Sequence, residues 1–337
     1  METRKVQLSG GTTYTISLPK TWAEEHGIET GSVLSLHPNS DGSLLVEATS
    51  ERATAERATT VDVATDSDAA LRQRIRALHA VGFDTVTLVD TTGHATERRA
   101  VVEDAVAELS GFELLSASDT RIQLTNLIDA ENVDVRKSAL RLRLVMLSMH
   151  RDAVDAVVAD DAALASRVVD RDSEADKLFA MVTRHFRRAL TDLHEVEKLD
   201  VGRDELFEYY YASRQFERVA DHAVKIARFV EDPEARIPAG FGDRIAGLAA
   251  DARGVVDEAA DVILTDAGIA AAHDAFDSHS ALLADIDALD RELYSHDDPA
   301  EAYVVGLLLD SVRRTADYGT NIASIAIQQT ARRELGG

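Results

Sequence analysis

The sequence contains no cysteine, and this absence excludes disulfide bonds, thiolate nucleophiles and cysteine-ligated zinc. Aromatic residues make up only 5% of the 337 residues, which suits packed helices better than an all-β fold. No apolar run approaches the roughly 18–20 residues that span a bilayer. The N-terminal segment METRKVQLSGG has no apolar signal core, so we expect a soluble, cytoplasmic protein without a membrane span.

Lysine is also scarce, with six residues, whereas acidic residues number 60 and the formal net charge is −24. An acidic surface that is poor in lysine is typical of adaptation to high salt, which screens the repulsion between like charges. We therefore expect a halophilic source. The charge argues against a broad nucleic-acid-coating surface, because counterion release loses its driving force at high salt, but it permits a local DNA-reading face.

Residue patterning divides the chain into three regions. Residues 1–50 alternate apolar and polar positions around a short predicted helix at 20–26, and a hairpin-type turn at 38–42 separates two further strands. After a polar linker at 51–58, the rest of a predicted domain at 51–130 has the order strand, helix, strand, helix, strand, strand. That pattern predicts a small α/β, ferredoxin-like domain.

The remaining chain is predicted to be entirely helical, with long helices at 133–159, 161–195, 203–231, 240–264, 267–295 and 299–333. An internal repeat relates ERVADHAVKIA at 217–227 to RRTADYGTNIA at 313–323. Each copy falls on the third helix of a set of three. We infer an all-α region at 133–333 made of a pair of three-helix bundles, with repeats at about 133–231 and 240–333.

Four carboxylates of the first repeat form the candidate metal site: Asp172 and Asp176 on one helix, and Glu217 and Asp221 on another. Each pair is spaced i, i+4, which places both side chains on one helix face at the border of an apolar stripe. Oxygen ligands from two neighbouring helices could hold a hard cation. Two other interpretations remain open. In a chain this acidic, such pairs also arise by composition alone, and nearby arginines could form structural ion pairs with them: Arg171, Arg214 and Arg218.

The segments FERVADHAVKIA at 216–227 and RDSEADKL at 171–178 resemble the signature helices of the PhoU family of phosphate-uptake regulators. This resemblance covers about 133–333 and implies a multinuclear iron or zinc site at the four carboxylates. It also implies contact with a phosphate-transporter ATPase or a signalling protein. The second repeat departs from the family pattern, because Arg313 replaces an acid and could neutralise Asp317. His222, beside Asp221, is expected to pack rather than to bind metal.

The N-terminal residues RKVQL, TYTISLPKTW and GIETGSVLSL, within 4–48, resemble the AbrB/SpoVT family of swapped-hairpin β modules. That family implies an interlocked homodimer that binds DNA or serves dimerisation alone. Strands this short cannot bury an apolar face without a partner, which agrees with dimerisation. The cations Arg4, Lys5 and Lys20 are the candidate DNA-binding residues.

The sequence therefore predicts a multi-domain regulator: a swapped-hairpin module, an α/β domain and paired helical bundles. No phosphate-binding loop or nucleophile elbow is present, so we expect no enzyme activity. The favoured function is regulation of phosphate uptake and phosphate-responsive transcription. One alternative is a partner of a phosphate transporter that does not bind DNA, and another is a hydrolase that uses metal bound by the carboxylates.

Overall fold

The computed structural model describes residues 3–38, 42–48, 56–93, 96–231, 237–238 and 240–335. Contacts between Cα atoms divide the chain into two compact units, residues 1–55 and residues 56–335. No helix in the described ranges is both long enough and apolar enough to cross a membrane.

The first unit contains two antiparallel hairpins and one short helix. Strands β1 (Gln7–Ser9) and β2 (Thr13–Thr15) form one pair, and β3 (Leu34–Pro38) and β4 (Leu44–Ala48) form the other. Between them lies α1 (Lys20–Glu25), close to its predicted bounds. The predicted turn between β3 and β4 lies largely outside the described residues.

The apolar side chains of this unit remain in contact with solvent. None of the described residues within 3–47 is buried. Large apolar residues are among the most exposed in the protein: Val6, Leu8, Tyr14, Ile16, Val33 and Leu36. A two-stranded hairpin is at best marginally stable alone, and the described residues of this unit form no buried core that could support an isolated monomeric module.

The second unit begins with a small α/β domain. Its elements are β5 (Ala58–Asp62), α2 (Asp68–Val81), β6 (Thr85–Val89), α3 (Thr96–Ala107), β7 (Phe112–Ala117) and β8 (Arg121–Asn126). The side chain of Ser67 accepts a hydrogen bond from the Ala70 amide at the start of α2, and Gly82 ends this helix with a φ of 96°. Both are residue types favoured at these helix ends.

The sheet of this domain is mixed, with strand order β5-β6-β8-β7. Strands β5 and β6 are parallel, whereas β8 runs antiparallel to both of its neighbours. The α/β class is as predicted, but the ferredoxin-like arrangement is not found. A ferredoxin-like domain has the order β-α-β-β-α-β, whereas this chain places its second helix before the third strand. Its final hairpin therefore adds two antiparallel strands to one parallel β-α-β unit.

The helical region forms two three-helix sets. The first comprises α4 (Val135–Ala159), α5 (Ala162–Asp170) with α6 (Asp172–Ala189), and α8 (Arg203–Ala227), with the short α7 (Leu193–Leu199) before α8. The second comprises α9 (Gly242–Leu264), α10 (Ile269–Leu293) and α11 (Pro299–Leu335). The predicted helix at 161–195 is thus divided at Arg171, where the backbone amide shares the carbonyls of Arg167 and Val168. It is interrupted again after Ala189, before α7 begins at Leu193.

The repeats meet at positions that are equivalent by sequence. His222 of α8 and Tyr318 of α11 occupy matching places in the two repeat copies, and they hydrogen-bond over 3.3 Å. The Arg218 guanidinium also lies over the Tyr318 ring, 5.7 Å from its centroid. Helix α8 packs on α11 and α4 packs on α9, so one continuous core joins the repeats. This arrangement agrees with the internal duplication inferred from the sequence.

The first repeat carries the α/β domain on α6. The Arg184 side chain is 2% exposed and donates to the carbonyl oxygens of His79 and Phe83 and to Oδ1 of Asp84. Arg188 also pairs with Asp84, and Asp84 Oδ2 accepts from the Arg57 amide. This buried polar network holds α2 against α6.

Candidate functional site

The four predicted carboxylates lie on two helices that pack against each other. Asp172 is the first residue of α6, Asp176 lies one turn later, and Glu217 and Asp221 are in the second half of α8. The Glu217 side chain is 13% exposed, Asp172 and Asp176 are half-buried, and Asp221 is more exposed. The fold therefore places all four acids on the α6/α8 face, as the helical spacing predicted.

Electrostatic effects show that these acids share one environment. Burial, followed by the charge of Asp221, raises the pKa of Glu217 to about 7. Burial also raises the pKa of Asp172, Asp176 and Asp221, and in each case the next contribution is another member of the four. Charged carboxylates that are desolvated near one another repel, so this face favours a proton or another cation.

The proposed arginine ion pairs form at one acid only. Arg214 pairs with Glu217 over 3.0 Å, and its guanidinium also lies over the Phe179 ring. Arg171 instead contacts Asp152, and Arg218 lies over Tyr318. In the described part of the chain, Asp172, Asp176 and Asp221 have no side-chain hydrogen bond or ion pair. Structural pairing therefore leaves most of the negative charge on this face uncompensated.

The donor chemistry fits a hard cation, because every candidate ligand is a carboxylate oxygen. The placement fits less well, since no group of three or more His, Cys, Asp or Glu side chains within the described ranges is positioned to hold a metal ion. The Nε2 atom of His222 contacts the Tyr318 hydroxyl, and its buried Nδ1 atom has no hydrogen-bond partner among the described residues. The acids thus lie near one another without forming a ready coordination sphere.

The second repeat has different partners at the equivalent positions. Asp317, which matches Asp221, accepts a hydrogen bond from Nε2 of His279 over 2.9 Å. Arg313, which matches Glu217, pairs with Asp287. The expectation that Arg313 neutralises Asp317 is therefore wrong, because each residue reaches a partner on α10 instead.

The α/β domain contributes charged residues that the sequence did not identify. Arg76 of α2 pairs with Glu108, which directly follows α3, and the charges of Asp176 and Asp172 help to raise the Arg76 pKa. The acidic face of α6 is therefore close to a cation from another domain. No local pattern predicts this approach, because it depends on how α2 docks against α6.

A groove with a volume of about 650 Å³ opens beside two of the acids. Its lining residues come from α6, α8, the 3-10 helix that follows α8, and α11: Asp172, Asp221, Val224, Lys225, Arg228, Phe229, Tyr303 and Leu307. Lys225 lies one turn after Asp221 on α8, a spacing that could have indicated a shared surface. Tyr303 is distant in sequence, and only packing of the repeats brings it here.

The candidate DNA-binding cations lie in the first unit. Arg4 and Lys5 precede β1, and Lys20 begins α1. All three side chains are exposed. Lys20 pairs with Glu24 over 3.5 Å in an exposed i, i+4 contact, which leaves it accessible because such pairs are weak.

Comparison with known families identifies two parts of the chain. Residues 139–230 match the family model of the PhoU domain. Residues 7–54 match a model described as antidote-toxin recognition MazE, bacterial antitoxin. These matches confirm the resemblances found at the two ends of the sequence, and the PhoU match covers the first repeat. Comparison with curated protein sequences gives no match.

Two solved structures are similar to part of this chain. PhoU from Pseudomonas aeruginosa shares 22% identity at a TM-score of 0.47, covering 59% of this chain and 96% of that protein. The phosphate transport system regulatory protein PhoU from Streptococcus pneumoniae shares 16% identity at a TM-score of 0.45, covering 57% and 91%.

Proposed function

We propose that this chain, which contains a PhoU domain and an N-terminal MazE-type domain, is a phosphate-responsive transcription regulator rather than an enzyme. The observation that carries the proposal is the presence of both domains in one polypeptide. A PhoU domain supports a role in regulating phosphate transport. A module of the MazE or AbrB type supports contact with DNA, or dimerisation, or both.

DNA binding is assigned to a homodimer of the N-terminal unit. Exposed apolar residues on its hairpins support pairing with a second copy, and Arg4, Lys5 and Lys20 supply local positive charge. Few cations are available, so base contacts and shape must contribute alongside phosphate contacts. Binding through base contacts and shape as well as phosphate contacts suits a protein whose overall charge is strongly negative and repels DNA.

Fluorescence anisotropy on the promoter of a phosphate-transport operon tests this assignment, with salt concentration as the variable. We expect the Arg4→Ala/Lys5→Ala variant to bind more weakly and to lose about 0.9 of salt slope per phosphate contact removed. Lys137→Ala is the control, because Lys137 is exposed on α4 and pairs with Asp134. Equal binding by wild type and the double variant would show that Arg4 and Lys5 do not contact the DNA.

The second part of the proposal is a multinuclear iron or zinc site at Asp172, Asp176, Glu217 and Asp221. The raised pKa values and the sparse ion pairing of these acids support cation binding, although coordination requires side-chain movement. Elemental analysis of purified protein should show metal that disappears when all four acids become the matching amides. The control is Asp274→Asn/Asp277→Asn on exposed positions of α10. Equal metal content in all three proteins would retire the site.

One observation favours the alternative function, modulation of a phosphate transporter by protein contact alone. An aromatic patch runs along α6 and α8 and contains Phe179, Phe186, Phe207, Tyr210 and Tyr211. The exposed Leu190 directly follows α6. Leu190 is 55% exposed and Phe207 is 40% exposed, in a chain that has few aromatic residues. Exposed apolar patches mark interaction surfaces.

Binding of purified transporter ATPase to this protein, measured with and without promoter DNA, separates the two functions. The variant Leu190→Ser/Phe207→Ser should weaken ATPase binding and leave DNA binding intact. Loss of ATPase binding in this variant, combined with no DNA binding by wild type, would favour the transporter partner over the transcription regulator.

A further inference from the structure

The groove beside α8 has the size and composition of a small-molecule site. Its volume of about 650 Å³ falls within the range of about 300–1,000 Å³ that is typical of ligand pockets. Four elements contribute to it, so its shape depends on the assembled repeats rather than on one helix. The groove lies beside the proposed metal ligands but extends beyond them to α11.

Charges of both signs face this groove. Asp172 and Asp221 contribute carboxylates, and Lys225 and Arg228 contribute cations. The Arg228 charge counteracts the rise in the Asp172 pKa, which places the two groups in one electrostatic environment. Neither Lys225 nor Arg228 forms a side-chain hydrogen bond or ion pair with another described residue. As far as the described residues go, both cations keep their donors for a ligand.

This combination favours a ligand that carries charge of both signs. A free anion would meet the two carboxylates, whereas a metal ion held by the carboxylates alone would leave Lys225 and Arg228 without an anionic partner. A complex of a divalent cation with a phosphorylated molecule satisfies both, because the metal can bridge carboxylate and phosphate oxygens while Lys and Arg contact the remaining phosphate charge. Magnesium in particular is usually held by one or two carboxylates together with ligand phosphates.

The rest of the groove provides a surface for an organic ring. Two aromatic residues, Phe229 and Tyr303, line the groove together with the aliphatic Val224 and Leu307. The Tyr303 side chain is 68% exposed, although large aromatic residues are rare in this chain. Inorganic phosphate would leave this aromatic and aliphatic part of the groove empty, whereas a nucleobase could stack on it.

We propose that the groove binds a nucleoside di- or triphosphate together with a divalent cation. Asp172 and Asp221 contact the cation, Lys225 and Arg228 contact the phosphates, and Tyr303 stacks with the base. The assignment of the two acids rests on the cation-binding part of the proposed function. The remaining contacts are specific to this inference and give the PhoU domain an organic ligand besides metal.

The test is isothermal titration of the purified full chain in high-salt buffer with ATP and ADP, each with Mg²⁺ and with EDTA. We expect binding only when the divalent cation is present. Lys225→Ala/Arg228→Ala should weaken affinity at least tenfold, and Tyr303→Ala should weaken it several-fold. The control is Lys137→Ala/Arg141→Ala, a pair of exposed cations on α4, which should bind like wild type.

Several results would overturn the inference. If ATP bound equally well with Mg²⁺ and with EDTA, the cation would not bridge the acids and the phosphates. If Mg²⁺-pyrophosphate bound as tightly as Mg²⁺-ATP, the base would make no contact that contributes to binding. If neither ATP nor ADP bound under any of these conditions, the groove would not be a nucleotide site. Elemental analysis and DNA binding are independent readouts, so a protein that holds metal and binds its promoter but binds no nucleotide would contradict only this inference.

Discussion

The two helical repeats share a scaffold but treat their acidic residues in different ways. In the first repeat, Asp221 has no ion pair with any described residue and its pKa is raised by burial and by Asp176. In the second repeat, the equivalent Asp317 pairs with His279, and Arg313 occupies the position that corresponds to Glu217. A partly desolvated charge without a partner costs stability. The first repeat therefore retains an unfavourable arrangement that the second has relieved, and this difference locates the candidate site.

The repeats also differ in what they carry. Helix α6 of the first repeat holds the α/β domain through Arg184 and Asp84, whereas α10 of the second has no contact of this kind with another domain in the described part of the chain. The acidic face and the docked domain thus occur on the same helix. Arg76 of the docked domain lies close enough to Asp172 and Asp176 for their charges to raise its pKa. A change in the docked domain can therefore affect the acidic face, and a change in the acidic face can affect the docked domain.

The largest expected effect on stability comes from breaking the contact between α6 of the first repeat and the α/β domain. Arg184→Ala removes a buried cation and leaves Asp84 and two carbonyl groups with fewer donors, so we expect a loss of about 3–5 kcal/mol in unfolding free energy. Urea unfolding measures the loss. Arg291→Ala, on an exposed position of α10, should change the value by less than about 0.5 kcal/mol. Similar losses of unfolding free energy in both variants would show that the contact between α6 and the α/β domain does not set the first repeat apart from the second.

The next effect concerns His150, which joins the two repeats. Its Nδ1 accepts from Arg253 of α9, and its Nε2 faces the Thr315 hydroxyl of α11. Burial and the Arg253 charge lower the His150 pKa from 6.5 to about 3. The unfolded chain therefore binds a proton more readily, and stability is lost as the pH falls from 6.5 towards 3.

At pH 5 the His150 contribution to this loss is about 2 kcal/mol. The variant His150→Gln removes the titration, so its stability should fall less steeply between pH 6.5 and pH 4 than that of wild type. Parallel curves for the two proteins, measured by urea unfolding at each pH, would contradict a buried neutral histidine between the repeats.

A smaller effect is expected from Glu217, which has no acidic counterpart in the second repeat. Its pKa is raised from 4.5 to about 7, so the folded state binds the proton more tightly than the unfolded state. Stability contributed by the neutral form is present below pH 4.5 and is lost as the pH rises through 7. In metal-free protein, Glu217→Gln should therefore stabilise at pH 8 by roughly 1–2 kcal/mol and have little effect at pH 4. A gain of equal size at both pH values would exclude ionisation as its cause.

Local sequence patterns account for much of the scaffold and for the four acids. Capping by Ser67 and Gly82 defines α2, and helical spacing places Asp172 with Asp176 and Glu217 with Asp221. The division at Arg171 escaped prediction because the apolar stripe continues through a turn that remains nearly helical. The sheet order could not be inferred, because pairing between strands depends on long-range contacts.

The environment of the site was less accessible to prediction than its carboxylates. Arg76 reaches the acids only because the α/β domain docks on α6, and Tyr303 reaches the groove only because α11 packs against α8. The partners of Asp317 and Arg313 were likewise determined by the rotation of α10, which places His279 and Asp287 towards α11. Spacing identifies residues that share a helix face, but tertiary packing decides which charges are compensated.

The smallest effect gives the sharpest test of the comparison, because it predicts a change of sign. Asp221→Asn removes a charge that burial and Asp176 disfavour, so metal-free protein at pH 7.5 should gain stability. Asp317→Asn removes the carboxylate that pairs with His279 and should lose stability. Each change should be about 0.5–1 kcal/mol, because both groups are partly exposed. Thermal unfolding of the two variants and wild type, compared under one salt concentration, measures the pair of effects. If both variants shift in the same direction, the repeats do not differ in charge compensation, and the uncompensated acids no longer distinguish the first repeat as the candidate site.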